Sequence, residues 1–273
     1  MIGRGFGARR AGGLIALLLG ASVQAAPARS VSTNPCIDAS LMEVADPAQI
    51  AAISHYSKAE RSTSIPLSVA ARFPATSGTA EEIIAKSPDL VLADAFSAVA
   101  MAAILRRLNV PMLSLAPPDT IDQSRAQIRQ IAAAAGHPHR GETLVARIDA
   151  AAAAARTPGP PIPALIWVGG GMVPGTGTLP DALLSASGFH NQSADYGLRQ
   201  WDVLPLELLV ANPPRVLLTQ STAAHTDRLL GHPVLKPLGR RIAQRPYPER
   251  LLNCGGPSII AALNHLAAVR KSL

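Results

Sequence analysis

Apolar and polar positions along the chain fall into blocks that alternate between the spaced stripe of a helix and the short continuous run of a strand, and one block is stated twice. Its first copy is Glu81-Glu82-Ile83-Ile84-Ala85-Lys86-Ser87-Pro88-Asp89-Leu90-Val91-Leu92, and its second is Glu207-Leu208-Leu209-Val210-Ala211-Asn212-Pro213-Pro214-Arg215-Val216-Leu217-Leu218. A glutamate in the first helical turn complements the exposed amides and the positive end of the helix dipole, and the proline about seven residues on stops the helix. The apolar run that follows suits a parallel strand covered on both faces. Each copy is half of a βαβ unit. The copies lie 126 residues apart, a domain-sized offset rather than a solenoid period. Two similar α/β lobes are therefore expected, although any α/β protein contains such units and two glutamates on pattern alone leave coincidence open.

The pattern places a first lobe from Val31 to Pro118. It opens with the polar turn Asn34-Pro35-Cys36-Ile37-Asp38, which leads into an amphipathic stretch, Ala39 to Ala45. A strand at Ala51 to Ser54, the polar loop His55-Tyr56-Ser57-Lys58 and a loop over Thr76 to Thr79 follow, with Thr79 placed to cap the Glu81 helix. Residues 119–157 read as two helices, Ile121 to Ala135 and His139 to Arg156. Eighteen residues in the second span about 27 Å, enough to bridge two lobes; an ordinary packing helix is the alternative. Prolines 158, 160, 161 and 163 mark a boundary. The second lobe, 162–273, reads as the strand Ala164 to Val168, a glycine-rich turn, a helix from Pro180 to Ser187, the repeat, and the loop Gln220-Ser221-Thr222. A helix ending near Leu238 and a terminal helix from Pro257 to Val269 complete it. Strands alternating with helices give the α/β class with mainly parallel sheets.

The first residues set the compartment. Arg4, Arg9 and Arg10 precede the apolar run Leu14 to Leu19, and small residues follow, with a cleavage site fitting Val23-Gln24-Ala25. Residues 1–25 thus read as a secretory signal peptide, too short in its apolar part to span a bilayer, and export to the periplasm follows. The leader holds three of the basic residues and no acid, so the net charge of +7 drops to +4 in the mature chain. Aromatic residues are only 3% of the total, which leaves neither a basic stripe nor a stacking platform and argues against nucleic acid as a partner. Cys36 and Cys254 are the only cysteines. In an oxidising compartment a lone pair is most simply a disulfide; two unrelated buried thiols, or soft ligands facing a cleft, are the alternatives.

Few stretches suggest chemistry. Gly169-Gly170-Gly171 follows a strand as a phosphate loop would, yet it lacks the lysine and Ser/Thr of that motif, so a ligand-lining loop is the better reading. No nucleophile elbow is present. The one close histidine pair, His137 and His139, flanks a helix-breaking proline and reads as a solvated loop rather than a metal site; His55 alone sits in a loop expected to open on a cleft. Tyr56 and Phe96 follow strands, at the ends where ligands bind in parallel sheets, and Trp201 lies six residues before Glu207; the surroundings of Tyr56 and Trp201 are polar and loop-like, Phe96 reads equally as a core residue, and Trp167 at the end of a strand reads as core.

The succession of leader, Asn34-Pro35-Cys36-x-Asp38 turn, Ser54-His55-Tyr56-Ser57, Gly78-x-x-Glu81, Pro88-Asp89-Leu90-Val91-Leu92, connecting helix and second Glu207 unit resembles the periplasmic iron–siderophore and vitamin B12 binding proteins of ABC importers. The likeness covers nearly the whole mature chain. It implies two Rossmann-like lobes joined by a rigid helix, no catalysis, no required cofactor, and a monomer whose Glu81 and Glu207 dock on a permease dimer at the inner membrane. Within that family the vitamin B12-binding proteins look nearest, since Tyr56 and Trp201 match a ligand-contacting tyrosine and tryptophan. Asp94 stands where those proteins carry another tryptophan, with Phe96 two residues later. The implied ligand is cobalamin, with ferric siderophore or haem as alternatives, and an exported α/β enzyme or a metal-ion binding protein are readings from other classes. Tyr56, Phe96 and Trp201 would offer flat contacts, Gly169 to Gly171 close backbone approach, and Asn34, Ser77, Gln220, Ser221 and His55 further contacts.

Overall fold

The computed structural model describes Met1 and residues 26–96, 98–220, 228–235 and 241–273. The expected signal peptide, Ser221, Thr222 and the body of the helix expected to end near Leu238 lie outside the described residues. Five strands, β1 (Ser30–Ser32), β2 (Ile50–Ser54), β3 (Ala75–Thr76), β4 (Leu90–Asp94) and β5 (Met112–Leu115), form a parallel sheet in the order β3-β2-β1-β4-β5. After β6 (Ile162–Trp167) come β7 (Met172–Pro174), β8 (Phe189–Asn191), β9 (Trp201–Val203), β10 (Val216–Thr219) and β11 (Ala243–Pro246). Four of these make a second parallel sheet in the order β11-β10-β6-β8, while β7 and β9 pair as an antiparallel ribbon. In both sheets the first strand is interior, so strand order reverses between β1 and β4 and between β6 and β10.

The helices are α1 (Pro35–Val44), α2 (Leu67–Ala70), α3 (Ala80–Ala85), α4 (Ala98–Arg107), α5 (Ile121–Ala134), α6 (Pro138–Ala155), α7 (Leu179–Ala186), α8 (Leu206–Ala211) and α9 (Ser258–Lys271). Two boundaries differ from the sequence reading. The stretch expected as a polar turn is the first turn of α1, because Asn34 Oδ1 accepts from the amides of Cys36 (2.9 Å) and Ile37 (3.4 Å) and Pro35 occupies the first helical position. The proline cluster does not end before the strand either, since β6 takes in Pro163. That residue sits at the start of the strand, and its carbonyl still accepts from the Arg215 amide at 3.0 Å.

Side-chain alternation on the repeated strands explains how two lobes become one body. Leu90 and Leu92 of β4, and Val216 and Leu218 of β10, face a core common to both lobes. The residues between them face outward into separate cores, Val91 with Ile83, Met101 and Leu105, and Leu217 with Trp167 and Leu209. Ile83 and Leu209 each stand two residues after their glutamate, so α3 and α8 cover equivalent outer faces. The common core runs from Leu41 and Ile53 through Leu144 and Ile148 of α6 to Leu263 and Leu266 of α9. Helix α6, 18 residues long, packs on α1 and α5 on one side and on α9 on the other.

A second tie lies near the chain's end. Cys36 and Cys254 form a disulfide across 218 residues of sequence, Asn253 Nδ2 donates to the Arg61 carbonyl (3.1 Å), and the Gly256 amide donates to Ser124 Oγ (2.8 Å). Gly256 has φ +67°, and a Cβ there would lie 2.4 Å from Ser40 Oγ, so only glycine lets this loop seat on α1.

Two outcomes follow. Ile148→Ala should cost about 2–5 kcal/mol and leave a single urea transition, by fluorescence and circular dichroism alike; separate transitions for the lobes would contradict a common core. Mass spectrometry should find no alkylatable thiol until reductant is added, and reduction should lower the unfolding free energy by about 2–5 kcal/mol.

Candidate functional site

The carboxyl ends of β1 and β4, at the reversal of strand order, open on a cavity of about 240 Å³ between the lobes. Open α/β sheets bind ligands at such points. The first lobe contributes Asn34 and Cys36 after β1, Asp94 at the end of β4, Pro117 to Asp119 after β5, and Gln127 of α5. The second contributes Leu179 and Pro180 at the start of α7, Trp201, and the loop Leu252, Asn253 and Gly255.

Polar groups in this cavity are mostly acceptors. Gln127 spends its Nε2 on the Ala116 carbonyl (3.0 Å) and Asn253 its Nδ2 on Arg61, which leaves both side-chain carbonyls for a ligand. Asn34 is the reverse case, since its Oδ1 caps α1 and its NH2 remains. Asp94, whose Oδ1 accepts from the Phe96 amide (3.0 Å), and Asp119 add two carboxylates. No lysine, arginine or histidine is among the described residues lining the cavity.

Of the three aromatic residues singled out in the sequence, Trp201 lines the cavity and is 46% exposed. Tyr56 (51% exposed) and Phe96 (81% exposed) stand just beyond the carboxyl ends of β2 and β4, outside the lining set. Trp167 is fully buried in the outer core of the second lobe. Tyr56 belongs to a 3₁₀ turn, His55–Lys58, which Ser54 Oγ caps by accepting the Tyr56 amide at 3.3 Å. His55 Nδ1 lies 3.2 Å from the Thr76 carbonyl, and its ring lies 3.9 Å from that of Tyr56, centroid to centroid. Beneath the turn, Asp38 is fully buried. Burial pushes its carboxyl up to about 7, against hydrogen bonds from Ser32, Ser57 and Ser54 that pull it down.

The other sequence candidates are placed as follows. Gly169, Gly170 and Gly171 all have positive φ and make a tight turn, closed by the Met172 amide donating to the Gly169 carbonyl (3.0 Å). They lie outside the lining set, as do Ser77 and Gln220. Ser77 gives its amide to Glu82 Oε2 at 2.6 Å, and with Thr76 Oγ1 at 3.0 Å this holds the Glu82 carboxyl below its usual range. Glu81, its neighbour, is exposed and has no hydrogen bond or ion pair among the described residues; the same is true of Glu207. Each is the second residue of its helix. A crossover helix between parallel strands runs antiparallel to them, which puts both glutamates on the carboxyl edges of their sheets, the edge that also borders the cavity.

Sequence reading missed Gln127, Asp119 and Asn253. Gln127 left a trace, a polar residue on the same buried face as Ser124, Ile128 and Ile131. Among the described residues no group of three His, Cys, Asp or Glu side chains could hold a metal ion, and no helix is long and apolar enough to cross a membrane.

Residues 31–238 match the family model described as periplasmic binding protein. No curated protein matches by sequence. Among solved structures, the apo form of the periplasmic heme-binding protein RhuT from Roseiflexus sp. RS-1 is similar, with a TM-score of 0.71 and 29% identity over 88% of this chain and 96% of that one. The periplasmic heme-binding protein HutB of Vibrio cholerae is similar in fold, with a TM-score of 0.74 and 17% identity over 89% and 98% of the two chains. So is the periplasmic vitamin B12 binding protein BtuF of Vibrio cholerae, with a TM-score of 0.69 and 18% identity over 90% and 97%. With most of its length inside the family model and two α/β lobes around one cleft, the chain belongs to the periplasmic binding protein family.

Proposed function

We propose that the chain is the periplasmic solute-binding component of an ABC importer, and that it carries a corrinoid, cobalamin or a relative, to a permease dimer at the inner membrane. In this reading residues 1–25 are a cleaved leader, the mature protein acts as a monomer, and it performs no chemistry on its cargo. The observation that carries the choice of ligand is the chemistry of the cavity. The Asp119 carboxylate and the side-chain carbonyls of Gln127 and Asn253, with no lysine, arginine or histidine among the described residues of the lining, suit a ligand rimmed by hydrogen-bond donors. A corrinoid presents carboxamides around its ring, whereas haem presents two carboxylates and ferric siderophores are commonly anionic. Complementary potentials decide partner choice more than area does. A cavity of about 240 Å³ falls below the usual 300–1,000 Å³ of ligand sites, so the macrocycle would extend outward between the exposed faces of Trp201, Tyr56 and Phe96.

Haem is the second reading, favoured by one further observation. Tyr56 and His55, whose rings lie 3.9 Å apart and tilted by 37° at the end of β2, are both residue types that bind haem iron, and the heme-binding RhuT shares 29% identity with the chain.

Titration of the purified mature protein should give a Kd below about 10 μM for cyanocobalamin and weaker binding of haemin; the reverse order, with a shifted Soret band lost in Tyr56→Phe, would establish the second reading. Trp201→Ala should weaken cyanocobalamin at least about tenfold, or about 1.4 kcal/mol. Asp119→Arg should improve haemin binding and weaken cyanocobalamin, by the same titration. Reversing Glu81 and Glu207 to lysine should abolish uptake in cells and leave affinity in solution unchanged; uptake at the wild-type rate would remove the permease assignment.

A further inference from the structure

Asp38 takes no part in the cavity, yet it is a fully buried carboxyl in the helix whose first turn forms the cavity floor. Asn34 and Cys36, at the start of α1, line the cavity, and Asp38 follows two residues after Cys36 on the side away from it. Its Oδ2 accepts from the Ser54 amide (2.9 Å) and from Ser57 Oγ (2.6 Å). Those two donors are the residues on either side of His55 and Tyr56, so one carboxylate oxygen holds both ends of the turn that carries the exposed tyrosine. Ser54 and Ser57 are themselves buried, at 1% and 0% exposure, which shields the arrangement from competing water.

We infer that Asp38 is a positioning residue of the binding site, fixing the Ser54 to Ser57 turn so that Tyr56 meets the ligand in register with the cavity floor. The ligand half of this inference rests on the reading of Tyr56 as a ligand contact made above. Its physical basis is a rigid path only a few bonds long. Asn34 caps α1 and Asp38 lies in its first turn, the Asp38 amide donating to the Asn34 carbonyl at 3.0 Å, and the Tyr56 turn is fastened directly to Asp38. A ring presented by a turn without that anchor would have to be ordered by the ligand, and the cost would appear as lost affinity. The same few bonds explain why a short 3₁₀ segment, ordinarily a weak element, can display a half-exposed aromatic side chain in one orientation.

The test uses the chain's three tyrosines, Tyr56, Tyr196 and Tyr247. In protein labelled with 3-fluorotyrosine, Tyr56→Phe assigns the Tyr56 line in the 19F spectrum. Asp38→Ala and Ser57→Ala should each shift or broaden that line and leave the line of buried Tyr247 in place. Both should weaken cyanocobalamin at least about tenfold. Should Asp38→Ala fail to fold, Ser57→Ala gives the same readout, because it removes one of the two bonds and keeps the carboxyl. An unaltered Tyr56 line in the variants overturns the inference, and so does an altered line with unchanged affinity when Tyr56→Ala does weaken binding. If Tyr56→Ala leaves affinity for both cyanocobalamin and haemin unchanged, the ligand half falls with the reading it rests on, and the 19F line alone decides whether Asp38 fixes the turn.

Discussion

Burial of one apolar face from each sheet against a shared set of helices is the constraint on which the rest of the molecule depends. Strand side chains alternate with a period of two, so each sheet must cover two faces. The outer faces are covered locally, by α3 and α4 in the first lobe and by α8 and the β7–β9 ribbon in the second. The inner faces have no local cover. They are closed only when α1, α5, α6, α7 and α9 pack as one layer, in which α6, with Leu144 and Ile148 in the common core, lies against α1, α5 and α9. Opening the lobes would tear that layer and expose apolar surface at about 25 cal/mol per Å². The disulfide from Cys36 to Cys254 adds a covalent tie where the lobes meet at the cavity.

Function follows from this rigidity. When the lobes cannot swing, the cleft is set before the ligand arrives, and selectivity has to come from the groups already pointing into it. Those groups are held by their own second bonds: Asn34 by its helix cap, Gln127 by Ala116, Asn253 by Arg61. Each is left with one polar function of known sense, and the senses add up to a surface that asks for donors. The two exposed glutamates stand at the starts of α3 and α8, on sheets whose separation the common core fixes.

Some of this was legible in the sequence for clear physical reasons. The glutamate, proline and apolar run of each repeat are local signals, and they led to two similar lobes, a parallel sheet in each and a bridging helix. Trp201 stood out because so few aromatic residues compete with it. Asp38 was not legible as a buried anchor, because an acid at the end of a polar turn reads as a solvated group, and nothing local tells that Ser54 and Ser57 will close over it. Asn253 was hidden for a different reason, since its partner Arg61 is 192 residues away. The glycines after β6 carry two demands that composition cannot separate: their positive φ values make a tight turn, and a Cβ at Gly171 would press on Val203 and the Leu204 carbonyl.

The central claim is that two sheets and one helical layer make a single rigid body with a preformed cleft. It is tested most directly by the distance between a spin label at Arg72 in the first lobe and one at Arg215 in the second, measured by pulsed electron resonance with and without saturating cyanocobalamin or haemin. A single narrow distribution that ligand leaves unchanged is the predicted result. A second population, or a shift of more than about 3 Å of the kind hinge closure produces, would contradict it.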